Sequence, residues 1–423
     1  MPSNGIPSGS SSPGCSAPPG GVRSTDWPLR PRLVPLEPKA VELQDGARGV
    51  LLRDPYGVLE NATVVTPAAY WVLAHFDGRR NLQEVLSTLL AAGLQGVRLE
   101  DVERVAAQAS EAGLVFGPAY HARHANALVA FRSRPRAPAC AGGAYPDHEV
   151  ELREMLASFY THPEGPGARD GRSRAGAGTR LLVAPHIDFR RGGPAYAHAY
   201  RALEGCDADL YVVFGTAHAS PPHLYTLTRQ DYATPLGAVA TDRAVVNALA
   251  AELSEEEVFA DELVHVGEHS CEFQMVWLRW VLGDRPFRAV PVLCSSISHL
   301  EDPAAATERF LSALARATRG RKVCYVASAD LAHVGPQYGD ERGGTRAELA
   351  ELAAQDRKTL AFLAKGEAAG FQRDAVVNDE KRRLCGIAPI YAAMRASGCG
   401  ARLLNYSQWT DGTDMVSFAA AVG

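Results

Sequence analysis

From about residue 136 onward, short apolar runs alternate with longer stretches whose composition and spacing are typical of helices. Six runs are rich in β-branched and aromatic residues, which predicts strands: RLLVAP, DLYVVFG, FRAVPVL, KVCYVAS, ARLLNYS and MVSFAAAV. Helical composition separates most of them, as in PAYAHAYRAL and DRAVVNALAAEL. This alternation predicts an α/β domain with a mostly parallel central sheet flanked by helices, whose continuous apolar strands are buried on both faces.

A different pattern precedes this domain, between about residues 33 and 118. The run GVLLRDPYGVLENATVVT indicates short strands joined by turns, and amphipathic helices follow it. Asn81, with Glu84 three residues later, predicts the start of a capped helix, and Gly93 predicts its end. Strands followed by helices indicate a small winged-helix-like α+β domain, which we place at residues 31–120.

The remaining segments are rich in residues that disfavour packing. Fifteen of the first twenty residues are Ser, Pro or Gly, so residues 1–30 are predicted to form a disordered tail. Basic residues mix with Pro and Gly around residues 120–140, which predicts a linker over residues 121–135. The α/β domain is then expected to span residues 136–423.

Charge and cysteine content limit the classes of partner and environment. With 43 basic and 48 acidic side chains the net charge is −5, which argues against capture of nucleic acid or of an anionic membrane surface. The sequence contains no run of about 18 apolar residues that could cross a bilayer. Eight dispersed cysteines without a CxxC pair argue against a disulfide scaffold, so we expect a protein of the reducing cytoplasm.

Residues able to bind metals or transfer protons directly follow the predicted strands. His186 and Asp188 follow RLLVA, His218 follows LYVVF, and Asp330 with His333 follows VCYVASA. In open α/β sheets, ligands bind at the carboxyl ends of the strands. These side chains are therefore expected to converge on one cleft.

Two predicted helix starts add further candidates. His269 and Glu272 lie three residues apart and so share a helix face. Cys385 precedes the helix-like IYAAMRAS, where the positive end of the helix dipole favours a thiolate. Each candidate also has a structural interpretation: Asp330 could cap a helix, Glu272 could face solvent or cap a loop, and Cys385 could be a packing residue. Four other histidines are interpreted as structural: His198, His223, His265 and His299.

Seven motifs, in family order between residues 141 and 390, resemble the Memo family: AGGAYP, APHIDFRRGG, FGTAHAS, DYATPLGAVATD, EHSCEFQMVWL, ASADLAHVG and CGIAPI. The resemblance implies the fold of the class III extradiol dioxygenases (LigB-like), which use non-haem Fe(II). It implies a metal site formed by two histidines and one cysteine. By motif these ligands are His186, His218 and Cys385. The resemblance also implies that further residues line the same pocket: His269, His333 and Asp330. On chemical grounds we expect these residues to orient ligands or move protons.

The sequence departs from the usual motifs of that family at two places. GTAHA replaces the commoner GPSHH, which leaves His218 as the one ligand candidate there. Ile187 and Asp188 replace Ala-Gly, and Asp188 could add a carboxylate to the cleft or pair with Arg190 or Arg191. Two imidazoles and a thiolate suit Fe(II), with Cu or Zn as alternatives, because sulfur in place of carboxylate oxygen softens the site.

The smaller unit resembles the PqqD-like domains that bind peptide substrates of modifying enzymes, on the pattern DG, NLQEVLSTLL and LEDVERVAAQASEAGLV. The combination is most similar to the AmmeMemoRadiSam system protein B type of the family. It implies a peptide or protein substrate bound by the module and a radical SAM enzyme as partner. A winged helix used only for packing or dimer contacts is the alternative. DNA binding is disfavoured, because the helix at 99–113 has four acidic residues and one Arg.

Three functions follow as hypotheses. The first is a metal-dependent, dioxygenase-like oxidoreductase. The second is a metal-binding or substrate-presenting component, itself without turnover, of a peptide-modifying system. The third is a hydrolase with Cys385 as nucleophile and His269 or His333 as base, for which no nucleophile-elbow sequence is present.

Overall fold

A computed structural model describes residues 29–43, 46–59, 62–169, 176–377 and 379–423. The described chain divides into two compact units, residues 29–134 and residues 135–423. Almost all of the predicted tail, residues 1–28, lies outside the described residues.

The smaller unit packs helices against an antiparallel sheet. Its described strands follow one another in the order β1-β2-β3, and they are β1 (Glu37–Glu42), β2 (Arg48–Arg53) and β3 (Thr63–Val65). The helices that follow are α1 (Pro67–Leu73), α2 (Leu82–Ala91) and α3 (Leu99–Ala112). The predicted start of α2 is confirmed, because Asn81 accepts from the Glu84 N–H while the Glu84 carboxylate accepts from the Asn81 N–H. Gly93 follows the helix with a φ of +89°, which a glycine adopts without strain.

The stretch predicted as a linker, residues 121–135, is mostly helical. Helix α4 covers Pro118–Arg132 and takes Pro118 at its first position, where proline is well tolerated. Ala, Leu and Arg in this stretch favour a helix, and the Gly and Pro that suggested a loop lie at its ends. The expectation of a loose segment was therefore wrong.

Among the described residues of the larger unit, eight strands form one sheet in the order β10-β11-β4-β8-β5-β7-β6, with β9 paired to β11. The strands are β4 (Leu181–Ala184), β5 (Leu210–Thr216), β6 (Tyr225–Leu227), β7 (Arg288–Cys294), β8 (Val323–Ser328), β9 (Asp330–Val334), β10 (Arg402–Thr410) and β11 (Met415–Val422). The six predicted strands are all present. The central strands β4, β8, β5 and β7 are parallel, and antiparallel strands extend the sheet at both edges.

Helices cover this sheet. They are α5 (Glu149–Thr161), α6 (Phe189–Arg201), α7 (Arg243–Leu253), α8 (Glu255–Phe259), α9 (His269–Leu282), α10 (Pro303–Ala317), α11 (Arg346–Lys365), α12 (Ala368–Val377), α13 (Asp379–Arg382) and α14 (Ile387–Ser397). Helices α9 and α14 both pack against β5, all seven residues of which are buried. Burial of consecutive residues means that both faces of the strand are covered, as the continuous apolar runs predicted.

Among the described residues, no helix combines the length and the apolar character needed to span a membrane. This agrees with the sequence, which has no long apolar run.

Candidate metal centre

The candidate ligands lie where three elements of the larger unit end or begin. His186 follows β4 by two residues, His218 follows β5 by two residues, and Cys385 precedes α14 by two residues. Strands β4 and β5 both pair in parallel with β8, so their carboxyl ends lie at the same edge of the sheet. The topology therefore brings together residues that are up to 199 positions apart in the chain.

The ligand atoms of His186, His218 and Cys385 all lie within 4.8 Å of one another. Cys385 Sγ lies 3.1 Å from His186 Nε2. The His186 and His218 rings stand edge to face with centroids 5.0 Å apart. Two imidazoles and a thiol in this arrangement are a donor set used for Zn, Cu and Fe.

His186 is fixed by backbone groups and a carboxylate. Its ring Nδ1 lies 3.1 Å from the Ser328 carbonyl oxygen, so Nδ1–H donates there and Nε2 keeps its lone pair toward Cys385. Its backbone N–H donates to Asp330 Oδ1 at 2.9 Å. Burial, with the nearby His218 and His269, holds the pKa of His186 well below its ordinary value. The ring is thus kept in the neutral form that binds a metal.

His218 is oriented by Glu268, a residue that the sequence analysis did not select. Glu268 oxygens lie 3.0 and 3.1 Å from His218 Nδ1, and one of them also accepts from the His218 backbone N–H. Burial alone would lower the pKa of His218, but the Glu268 carboxylate raises it well above its ordinary value. Such a carboxylate–histidine pair fixes the ring and leaves Nε2 for a metal. The available signal was an acidic residue directly before a predicted helix, since Glu268 caps α9.

Cys385 lies in a tight approach of two chain segments. A Cβ on the next residue, Gly386, would come within 2.4 Å of the Asp330 carbonyl oxygen, so only glycine fits there. The helix start was predicted to favour a thiolate, but burial raises the pKa of Cys385 even though His218 lowers it. A protonated thiol is a poor nucleophile, which argues against the hydrolase hypothesis, whereas a bound cation would stabilise the thiolate.

The three predicted proton-transfer residues lie around this cluster at different depths. His269 stacks on His218 with ring centroids 4.7 Å apart, and lies 5.4 Å from the His186 ring. Asp330 Oδ2 is 3.7 Å from His186 Nε2, and burial raises the pKa of Asp330 to about 7. Burial lowers the pKa of His269 and of His333 to about 4, so both rings are neutral at pH 7.

His333 lies further from the ligands. Its Nδ1 is 3.1 Å from the Leu331 carbonyl oxygen and 3.2 Å from that of Arg383. No hydrogen bond or ring contact between His333 and the three ligands is found among the described residues. Its ring instead meets Tyr338, with centroids 5.0 Å apart.

Two acidic residues whose roles the sequence analysis left undecided, Asp188 and Glu272, have partners outside the ligand cluster. Asp188 caps α6 and pairs with Arg191, so it does not join the ligand cluster. Glu272 is fully buried and accepts from the Ala139 and Cys140 N–H groups, the Tyr145 hydroxyl and Arg136. It does not face solvent, and it holds the backbone N–H groups of the loop at residues 139–140, which is the second of the two structural interpretations.

The four histidines interpreted as structural lie outside the cluster. His198 Nε2 contacts the Glu164 carbonyl oxygen and His223 pairs with Asp261. His265 is fully buried against Tyr232. They are absent from the two metal-competent groups found among the described residues.

The second of those groups combines His218, Glu268 and His269. Hydrogen bonds explain why Glu268 lies so close to His218, because the Glu268 oxygens already accept from His218 and from the Ser270 N–H. Glu268 is therefore better suited to orient His218 than to bind a metal itself.

Comparison with known proteins bears on the same part of the chain. Residues 136–422 match the family model for Memo-like proteins. The chain belongs to the Memo family. A MEMO1 family protein of Methanopyrus kandleri is 29% identical over 295 residues, which cover 68% of this chain and 96% of that protein. A MEMO1 family protein of Methanosarcina acetivorans is 30% identical over 65% of this chain and 92% of its own length. One from Aquifex aeolicus is 24% identical over 71% and 75%.

The Memo family assignment confirms the main resemblance drawn from the motifs. It covers the unit that carries all six predicted site residues. The likeness to extradiol dioxygenases and the PqqD-like nature of the smaller unit stay predictions.

Proposed function

We propose that this Memo-family protein is a metal-dependent oxidoreductase with dioxygenase-like chemistry, and that His186, His218 and Cys385 bind its metal. The observation that carries the proposal is the convergence of two imidazoles and a thiol within 4.8 Å, at the carboxyl ends of parallel strands. Fe(II) is the metal we expect, with Cu or Zn as alternatives, since a thiolate-containing site accepts all three. We place the protein in the reducing cytoplasm, because the seven described cysteines are free thiols.

The donor set fits a metal for reasons of charge and tautomer. His186 presents a neutral Nε2 toward Cys385, and Glu268 holds His218 through Nδ1. A divalent cation would compensate a thiolate at Cys385 that burial otherwise disfavours. When bound, a redox metal with open coordination positions supplies the one-electron chemistry that side chains lack.

The surrounding residues would bind, orient and move protons. Asp330 fixes the His186 backbone and lies close enough to its ring to accept a proton from a group bound there. His269 stacks on His218 and reaches the same space from α9. His333, which contacts Tyr338, would move protons at a greater distance from the three ligands.

The first experiment tests metal binding. Purified protein is loaded anaerobically with Fe(II), and the metal is quantified in wild type, His218→Ala and Cys385→Ser. We expect about one metal per wild-type chain and more than about a hundredfold weaker binding in the variants, because losing a ligand costs more than losing a residue that orients one. Cys399→Ser and His198→Ala are matched controls outside the cluster. Equal iron in all five proteins would refute the site.

The second experiment tests turnover. Iron-loaded protein is given a metabolite extract and ¹⁸O₂, and products are sought by mass spectrometry. Label incorporated by wild type, reduced in His269→Gln and His333→Gln and absent in His218→Ala, supports the oxidoreductase. Incorporation equal to that of His218→Ala contradicts it and favours a metal-binding role without turnover.

We also propose a second function, in which the smaller unit binds a peptide or protein substrate for a radical SAM partner enzyme. The observation that favours it is the sheet edge formed by β3, where Val64 is 45% exposed, with Trp71 40% exposed on the next helix. An open edge with apolar side chains can receive an extended peptide as an added strand.

Full-length protein and its Val64→Asp variant can be used as baits for peptides and proteins of the source cells. A peptide-modifying enzyme or its substrate, retained by wild type and lost by Val64→Asp, supports this role. The exposed Leu90→Asp variant, on α2, is the matched control. Equal retention by all three proteins contradicts the proposed edge.

A further inference from the structure

Arg191 has an unusually fixed position beside the candidate metal centre. Its Nε donates to the Asp188 carboxylate, and its guanidinium carbon lies 4.7 Å from the centre of the Trp409 ring. Asp188 is itself held, because its Oδ1 accepts from the Arg191 backbone N–H at 3.2 Å. An edge contact and a face contact together set the plane of the guanidinium.

The opposite edge of that guanidinium is open. Nη1 and Nη2 of Arg191 have no hydrogen-bond partner among the described residues, and the side chain is 34% exposed. Two parallel N–H groups in a fixed plane match the two oxygens of a carboxylate or phosphate. Because the guanidinium is already oriented, little conformational entropy is lost when such a group binds.

Arg191 lies close to the residues that surround the ligand cluster. Ile187, between His186 and Asp188, is part of a small apolar cluster against which both Tyr338 and Trp409 pack. Burial has the largest influence on the pKa of Asp330, His333 and Tyr338, and the positive charge of Arg191 acts on each of them by lowering it. Arg191 is thus within electrostatic reach of the groups that surround the centre.

Tyr338 contacts His333 and lies within electrostatic reach of Arg191. It is half-buried and meets the His333 ring edge to face. Its hydroxyl has no hydrogen-bond partner among the described residues. A bound molecule could therefore contact both the ring and the hydroxyl.

A purely structural role explains Arg191 poorly. Asp188 caps α6 through the backbone N–H of residue 191, which any side chain at that position would leave in place. A partly exposed ion pair contributes little to stability. The Asp188–Arg191–Trp409 arrangement is better explained as a fixed binding group.

We propose that Arg191 binds the acidic group of the substrate, so that the centre acts on organic carboxylates or phosphate monoesters whose remaining atoms pack against Tyr338. The assignment of a substrate rests on the proposed function, whereas anion binding by Arg191 stands on its own contacts. Asp188, Arg191 and Trp409 would together decide which molecules enter the site.

The test measures binding of benzoate, phenyl phosphate and neutral benzamide by calorimetry and tryptophan fluorescence. Each is titrated into full-length protein, both iron-loaded under anaerobic conditions and metal-free. The variants are Arg191→Gln, which removes the charge, and Arg191→Lys, which keeps the charge without the two parallel donors. Arg190→Gln is the matched control, because Arg190 is the exposed neighbour on the same helix.

We expect an anion to bind at least about tenfold more tightly than benzamide, since hydrogen bonds between charged groups are stronger than those to a neutral amide. Arg191→Gln should abolish this preference, Arg191→Lys should weaken it, and Arg190→Gln should retain it. The preferred anion identifies the acidic group as carboxylate or phosphate. Absence of any preference, or equal preference in Arg191→Gln and Arg190→Gln, overturns the inference.

The two proposals fail in different ways. Arg191→Gln should bind iron as wild type does, because Arg191 is not a ligand. Anion preference in a protein that binds no iron would sustain the Arg191 site and refute the metal centre. Normal iron binding without anion preference would do the reverse.

Discussion

Glu268 and Glu272 are buried carboxylates one helical turn apart at the start of α9, and they differ in the partners that compensate their charge. Glu272 faces the permanent cation Arg136, also fully buried, together with donors from residues 139–145. Glu268 faces His218 and His269, whose charges depend on protonation. A buried carboxylate with a permanent cation is part of the framework, whereas one paired with titratable rings can serve a centre whose charge changes.

The largest expected effect is on stability, and it tests whether the Glu272–Arg136 pair is part of the framework. Glu272→Gln leaves the Arg136 guanidinium buried without its countercharge, so the free energy of unfolding should fall by about 3–5 kcal/mol. Urea denaturation measures the change. Glu149→Gln, which removes an exposed i,i+4 pair with Arg153, should cost well under about 1 kcal/mol. Similar losses in both variants would show that the buried pair is not part of the framework.

The next effect concerns the other carboxylate. Glu268→Gln weakens the hold on His218 Nδ1 and removes a negative charge beside the cluster, so metal affinity should fall about 10- to 100-fold. Competition with a chelator measures the affinity. Glu272→Gln, assayed at a temperature where it stays folded, is the reciprocal control and should bind metal nearly as wild type does. If the two variants lose affinity equally, the distinction between the carboxylates fails.

The smallest expected effect is on the pH dependence of the free energy of unfolding, through the buried histidine His265. His265 accepts from the Tyr232 hydroxyl, its Nε2 lies 3.1 Å from the Thr226 carbonyl oxygen, and its own carbonyl accepts from Arg136. Burial lowers the pKa of His265 to about 3. Below about pH 6.5 the unfolded chain therefore binds a proton at His265 that the folded protein does not bind. The free energy of unfolding falls as pH falls from 6.5 toward 3.

Between pH 8 and pH 5.5 this linkage amounts to about 1.4 kcal/mol. The free energy of unfolding of wild type should fall by that much more than that of His265→Gln over the same interval. His148→Gln, at an exposed histidine, should behave as wild type does. An identical pH dependence in wild type and His265→Gln would contradict the burial argument.

The sequence predicted the strand ends well because hydrophobic burial acts along contiguous residues. RLLVA and LYVVF could be recognised without knowledge of their neighbours, and β4 and β5 place His186 and His218 as expected. Cys385 was a candidate because it precedes a predicted helix, but its place beside the histidines came from the family motif, because its segment meets β9 through a turn that only a glycine at 386 allows. That contact joins residues 55 positions apart, which no local pattern encodes.

Partners of charged side chains were harder to predict. Glu272 was considered with the cleft because it shares a helix with His269, but its partners lie more than 125 residues earlier. Glu268 was passed over although its neighbour was chosen. Helical periodicity identifies which residues share a face, and only tertiary structure determines what that face meets. The helix α4 was missed for a related reason, since its Gly and Pro mark ends that resemble a loop.

Asp330 touches the chain segments of two ligands at once. Its carboxylate accepts from the His186 backbone N–H, while its carbonyl oxygen accepts from the Gly386 N–H next to Cys385. One residue thus sets the spacing between an imidazole and a sulfur that come from opposite ends of the domain. If the cluster binds a metal as proposed, ions that suit this spacing would bind without rearrangement, and ions that demand wider or flatter coordination would have to deform β9, which is hydrogen-bonded along β11. Selectivity among metals would then depend on the stiffness of the sheet as well as on the chemistry of the donors.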